Sequence, residues 1–177
     1  MRLLLFCLIV SISALACSAQ DVRPPAFPDG TVVVWENGTY ANIVQRQTGS
    51  NKTHAAIIFN EGSRSYVYES SKPDVHRTEW EQYNQYMLEI QRKIPRMRVH
   101  YLVPRVPYTK EEVRAMKGYA DAQLGRAFGM KSYMTGRPAE TIHCCEYVGN
   151  ILSFSRRYHT TGPRETPKSI YEKAVKL

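Results

Sequence analysis

Cys144 and Cys145 stand side by side in the stretch 141–152, TIHCCEYVGNIL, and a thiol placed there can act as a nucleophile toward an acyl carbon. Counted from Cys144, the residues Tyr147, Val148, Ile151 and Leu152 recur at helical spacing and form one apolar face. With Thr141 as N-cap, Cys144 opens the helix on that inner face. The positive end of the helix dipole favours the thiolate there, and first-turn backbone N–H groups face a developing oxyanion. A thiol nucleophile also needs an imidazole to take its proton and a polar group to fix the imidazole's tautomer. His54 stands near the start of the strand-like run THAAIIF, and Glu69 closes the run SYVYE. If residues 60–63 form the loop between these strands, Phe59 pairs with Arg64 and His54 falls directly opposite Glu69, with Cβ atoms roughly 5 Å apart. The expected chemistry is attack by Cys144, proton transfer by His54 and orientation by Glu69.

Each of these residues also has an ordinary structural explanation. A free cysteine is often a small buried apolar side chain, a strand-end histidine can be satisfied by a carbonyl, and a strand-end glutamate is commonly solvated. The register match between His54 and Glu69 lifts the catalytic reading above these. Among the other histidines, His76 lies at a helix entry with no partner implied, His100 sits within a strand beside Arg98 and Tyr101, and His159 belongs to a basic tail. His143, on the nucleophile helix, would point about a quarter turn away. Glu146 groups with Asn150 and Ser153 on a polar face and supports the helix start. Adjacent cysteines lack the ligand spacing of a zinc site and cannot close an ordinary disulfide within a helix. No metal and no cofactor is therefore expected.

Periodicity and punctuation give the elements that would hold these residues. Residues 31–35, TVVVW, read as a buried strand after a Pro-rich extended segment, and 36–52 as a long polar loop. Residues 53–59 and 65–69 make the hairpin strands, and 70–75 a loop. Thr78 with Glu81 reads as a capping box opening a helix to about Lys93, which Pro95 stops. Residues 97–103 form a further strand. Thr109 with Glu112 is a second capping box, before a helix that turns Val113, Met116, Ala120 and Leu124 inward and ends at Gly125. Gly129 to Pro138 reads as loop, and the tail from Arg156 holds one short helix. No repeat and no linker divides the chain.

The order of these features resembles a known family. A strand opening Thr53-His54, a strand ending Val67-Tyr68-Glu69, a Gly-x-x-Phe turn at Gly125 to Phe128 and then Cys144-Cys145-Glu146-Tyr147-Val148 are together similar to the circularly permuted NlpC-type papain-like cysteine hydrolases, in their YiiX/YebB-like branch. The resemblance runs from about Asp29 to Ser169. It implies an α+β papain-like fold with a mainly antiparallel sheet packed on the nucleophile helix. It also implies Cys144 as nucleophile, His54 as base and Glu69 as third residue, acting on an amide, peptide or related acyl bond through a thioester. Cys145 departs from that branch's pattern, which has serine there. The lecithin:retinol acyltransferase-like branch has a Cys-Glu pair, which would select Cys145 and a lipid acyl transfer. A non-catalytic envelope binding domain is the other alternative.

The N-terminus sets the expected address. Met1 and Arg2 precede an apolar run and small residues to Ala19, so 1–19 reads as a signal peptide and 20–177 as one catalytic domain. An exported, periplasmic or secreted protein follows, with membrane anchorage if Cys17 is lipidated. Beyond the leader, Cys144 and Cys145 are the remaining cysteines, and thiols kept in an exported protein without a structural disulfide point to a reactive cysteine. A hydrophobic fraction of 43% excludes disorder, and the formal net charge of +8 is interspersed rather than blocked. A solvated basic surface, not a nucleic-acid site, is the expectation. The family resemblance implies as partner a small N-acyl compound, a cell-wall peptide or a lipid-like substrate.

Overall fold

The computed structural model describes residues 27–39 and 41–177; the leader at 1–19 lies outside them. Five strands form one antiparallel sheet, β1 Thr31–Glu36, β2 Lys52–Glu61, β3 Arg64–Ser70, β4 Val75–Glu79 and β5 Arg98–Leu102, in the order β4-β3-β2-β1-β5. The helices are α1 Ala41–Thr48, α2 Trp80–Lys93, α3 Lys110–Ala122, α4 Lys131–Thr135, α5 Cys144–Ser153 and α6 Pro167–Ala174, with a 3₁₀ turn at Gly162–Arg164. The architecture is mixed α+β. No helix among the described residues is long and apolar enough to cross a membrane.

Alternation along the central strands builds two cores. Val32, Val34, Ala55, Ile57, Phe59 and Tyr68 face α3, α5 and α6, while Val33, Trp35, Ala56, Ile58 and Val67 face α2 through Tyr83 and Met87. Burial on both faces explains why β1 and β2 read as near-continuous apolar runs. The larger core closes on α5, where Tyr147, Val148, Ile151 and Leu152 are fully buried; each such aliphatic side chain stabilises the fold by about 1.5–3 kcal/mol. Gly149 permits close approach of the tail, since a Cβ there would come within 3.0 Å of Thr160 Oγ1 and 3.1 Å of Glu165 Cγ.

The hairpin is tighter than expected. Glu61 pairs with Arg64, so the loop is Gly62-Ser63 instead of four residues. Gly62 takes a φ of +61°, which a two-residue hairpin with glycine first requires. Asn60 is drawn into the ladder opposite Ser65, whose hydroxyl donates to Asn60 Oδ1 at 2.7 Å. The register therefore slips by two residues, and His54 is not directly opposite Glu69. An even slip keeps every side chain on its face, so the two become diagonal neighbours, still within reach of long side chains.

Other expectations are corrected in the same way. Thr78 is consumed by β4, opposite Val67, and α2 begins after Glu79 with no side-chain cap. β4 itself occupies part of the expected loop and helix entry. Residues 36–52 contain α1, and 129–138 contain α4. Leu124 is 40% exposed beyond the end of α3, not inward. Thr109 does form the capping box, its hydroxyl accepting from Glu112 N at 3.2 Å and its N–H donating to Glu112 Oε2 at 2.7 Å. Thr141 is not the N-cap of α5; His143 is. Residues 127–129 bridge Ile142, with Ile142 N donating to Ala127 O and Gly129 N to Ile142 O, which fixes 141–142 as extended and starts the helix later.

Candidate active site

A cleft of about 500 Å³ opens beside the start of α5. Trp35, His54 and Glu69 line it from the sheet, Tyr86 from α2, and His143, Cys144 and Cys145 from the α5 entry. A hydrogen bond ties the two halves together: Ser70 Oγ, next to Glu69, donates to Ile142 O at 2.8 Å. That bond sets the end of β3 against the residue two positions before Cys144.

His54 bridges them. Its Nε2 donates to Glu69 Oε2 at 2.6 Å, and its ring also interacts with the Cys144 thiol; with Nε2 engaged, Nδ1 is the nitrogen left to exchange a proton there. The ring lies against Trp35, with centroids 4.8 Å apart. Burial opposes a charged imidazole, but the Cys144 thiolate and the Glu69 carboxylate overcome it and raise His54 to about 10. Burial likewise opposes the Glu69 carboxylate, and hydrogen bonds from His54 and His76 reverse this, holding it at about 2. The structure thus brings together the three residues singled out from the sequence, Glu69 hydrogen-bonded to His54 and His54 interacting with Cys144.

The two thiols differ sharply. Cys144 lines the cleft and is partly buried, whereas Cys145 is 1% exposed and belongs to the larger core. Their sulfurs are 3.6 Å apart. The Cys145 thiol holds Cys144 well below the ordinary thiol range; burial works against this, and His54 and His143 add to the lowering. Burial and the neighbouring thiolate push Cys145 the other way. The opposite directions make Cys144 the more acidic of the two thiols and Cys145 the less acidic.

Two residues near the thiols behave differently from expectation. His143 does not point away: as N-cap it is 2% exposed, its Nδ1 accepts from Glu146 N at 3.4 Å and its Nε2 donates to Pro163 O at 3.0 Å. It also interacts with Cys144, which is therefore flanked by two imidazoles. Glu146 is not on a solvated face but is 4% exposed and accepts from Ser132 Oγ at 2.5 Å. Neither is legible from spacing, because each depends on where α4 and the tail fold back. His100 lies at the far edge, bonded to Glu36 Oε2 at 2.7 Å, and His159 is outside the cleft lining.

His143, Cys144 and Cys145 bring one ring nitrogen and two sulfurs within 4.8 Å of one another, a clustering that spacing alone did not suggest. Both His143 nitrogens are engaged within the fold, so its ring would have to release a hydrogen bond to ligate an ion, and burial and the neighbouring sulfur oppose a second thiolate at Cys145.

No family model and no curated protein matches this sequence. Among solved structures, the metalloprotein YiiX from Escherichia coli O157:H7 is similar, with a TM-score of 0.55 at 15% identity over 72% of this chain. The chain spans 66% of that structure, just under two thirds of its length. The similarity is one of fold.

Proposed function

We propose that this protein is a cysteine hydrolase of permuted papain-like type, cleaving an amide or related acyl bond through a thioester on Cys144. The observation that carries this is the Glu69–His54–Cys144 line, with a buried carboxylate 2.6 Å from the imidazole that faces the thiol. The Cys144 thiolate attacks the acyl carbon. The N–H groups of Cys144 and Cys145, at the first two positions of α5, have no partner within the helix and stabilise the oxyanion. His54, as imidazolium, gives its Nδ1 proton to the leaving amine or alcohol as the thioester forms. It then takes a proton from water, which attacks the thioester and releases the acid. Glu69 holds the ring and stabilises its charge throughout.

The lining of the cleft supports an apolar acyl substrate. Trp35, Val44, Phe128, Met130, Tyr133 and Met134 give it a largely apolar wall, suited to an acyl chain more than to a polar cell-wall peptide. Export through the 1–19 leader belongs to the same proposal, placing the enzyme in the periplasm or outside the cell. The test uses p-nitrophenyl octanoate and intact mass after acid quench. An octanoyl adduct on Cys144, absent in Cys144→Ala and long-lived in His54→Ala, is expected. Nitrophenol release without dependence on Cys144 would refute the proposal. Acyl transfer to an added amine in preference to water would shift it to the acyltransferase alternative.

A further inference from the structure

His76 was not singled out as a functional residue by the sequence, yet it completes the charge arrangement around Glu69. It is the direct cross-strand partner of Glu69 in the β3–β4 ladder. Its Nε2 lies 3.1 Å from Glu69 Oε1, the carboxylate oxygen that His54 does not use. Its Nδ1 lies 3.1 Å from the backbone oxygen of Asp74 and 3.6 Å from Asp74 Oδ1. Asp74 is itself held by a bridge to Ala127, and Val75 N donates to Arg126 O at 2.8 Å.

The partners decide the protonation state. A carboxylate oxygen and a backbone carbonyl oxygen only accept hydrogen bonds. Both bonds to His76 form together only when each ring nitrogen carries a hydrogen, that is, when the ring is an imidazolium. Glu69 then holds one cation on each oxygen, His54 on Oε2 and His76 on Oε1. The two imidazoles differ in access: the His76 side chain is 34% exposed and that of His54 13%, with Glu69 at 6% between them. The charged groups facing His76 are Glu69 from β3 and Asp74 from its own loop, and both favour the cation.

Building on the hydrolase reading, we propose that His76 is a positioning residue, a solvent-facing imidazolium that locks the second oxygen of Glu69 and keeps this buried carboxylate ionised and aimed at His54. It touches neither sulfur nor substrate. Its effect on Cys144 passes through Glu69 and His54. Two bonds on two oxygens fix the carboxylate plane, and hence the His54 ring, where one bond would leave it free to turn. A nearby cation typically lowers a carboxyl pKa by about 1–3 units. Losing His76 therefore raises Glu69 from its value of about 2, and with it the pH below which the charge on His54 loses its carboxylate partner.

The experiment has two parts. In the first, the imidazole of His76 in the whole protein is followed by NMR through a pH titration. A doubly protonated ring at neutral pH is expected, with a midpoint above the ordinary value, and a neutral ring there would overturn the proposal. In the second, alkylation of Cys144 by iodoacetamide is measured against pH in wild type, His76→Ala and His76→Gln. His76→Ala is expected to move the acid limb up by about one unit or more. Glutamine, which restores a donor without the charge, should recover most of the rate on the plateau but not the position of the limb. An equal loss at every pH, or no change, would make His76 merely structural and sink the idea. If wild-type Cys144 shows no low-pH alkylation at all, the hydrolase reading fails, while the NMR titration still judges the state of His76.

Discussion

Replacing Cys145 by alanine separates the nucleophile from the group that acidifies it. The Cys145 thiol lies 3.6 Å from Cys144 Sγ and is the largest influence lowering Cys144. A hydrogen bond to a charged group contributes about 1.5–3 kcal/mol. Because S–H is a weak donor and the contact is long, the lower end applies. One pKa unit corresponds to about 1.4 kcal/mol, so Cys145→Ala should raise Cys144 by about one unit. At a pH below the midpoint the thiolate fraction, and with it the iodoacetamide rate, should fall about tenfold. On the plateau above it the rate should match wild type, since His54 and Glu69 are untouched. The cost in stability is that of one sulfur removed from a fully buried site, about 1 kcal/mol, which urea unfolding reads separately. Cys145→Ser restores a donor and should return the curve most of the way. An unshifted curve in Cys145→Ala would show that the thiol–thiol contact does not hold the anion. Loss of alkylation in Cys145→Ala with retention in Cys144→Ala would move the nucleophile by one residue.

Glu69 makes a pH-dependent contribution to stability, because its carboxyl is held at about 2 in the fold against an ordinary 4.5. A depressed carboxyl stabilises fully above its unfolded value and loses this as the pH falls through the folded one. The gap in unfolding free energy between wild type and Glu69→Gln should therefore be widest above 4.5 and close toward about 2; a gap constant across that window would refute the ion-pair geometry. His54→Ala should slow acyl-enzyme turnover by on the order of a hundredfold or more, measured from single-turnover octanoyl release, with Glu69→Gln milder because the amide still occupies the His54 contact. Elemental analysis of purified protein should give well under one equivalent of zinc, and a stoichiometric ion bound by both thiolates and His143 would overturn their donor assignment. Intact mass of native protein should place the mature start near Gln20 or at a lipidated Cys17, and retention of Met1 would contradict export.

The sequence by itself determined what local rules control. Continuous apolar runs marked β1 and β2, β-branched and aromatic residues marked β3, helical spacing marked α3 and α5, and the reciprocal Thr109–Glu112 pattern set a helix start that needs nothing beyond four consecutive residues. The same locality made His54 and Glu69 share a face, since strand alternation survives a slip of two. Tertiary structure decided everything that joins distant segments. The turn tightened because Gly62 could take a positive φ and Asn60 found Asp29 and Ser65 as partners. The α5 start moved to His143 because residues 127–129 claimed Ile142 first. Glu146 became a buried acceptor for Ser132, and His76 became the second partner of Glu69, because α4 and β4 fold onto groups far away in sequence. Which of two adjacent thiols carries the charge was likewise a question of surroundings: the chain makes them neighbours, and the core on one side and the cleft with its two imidazoles on the other make one an acid and the other its donor.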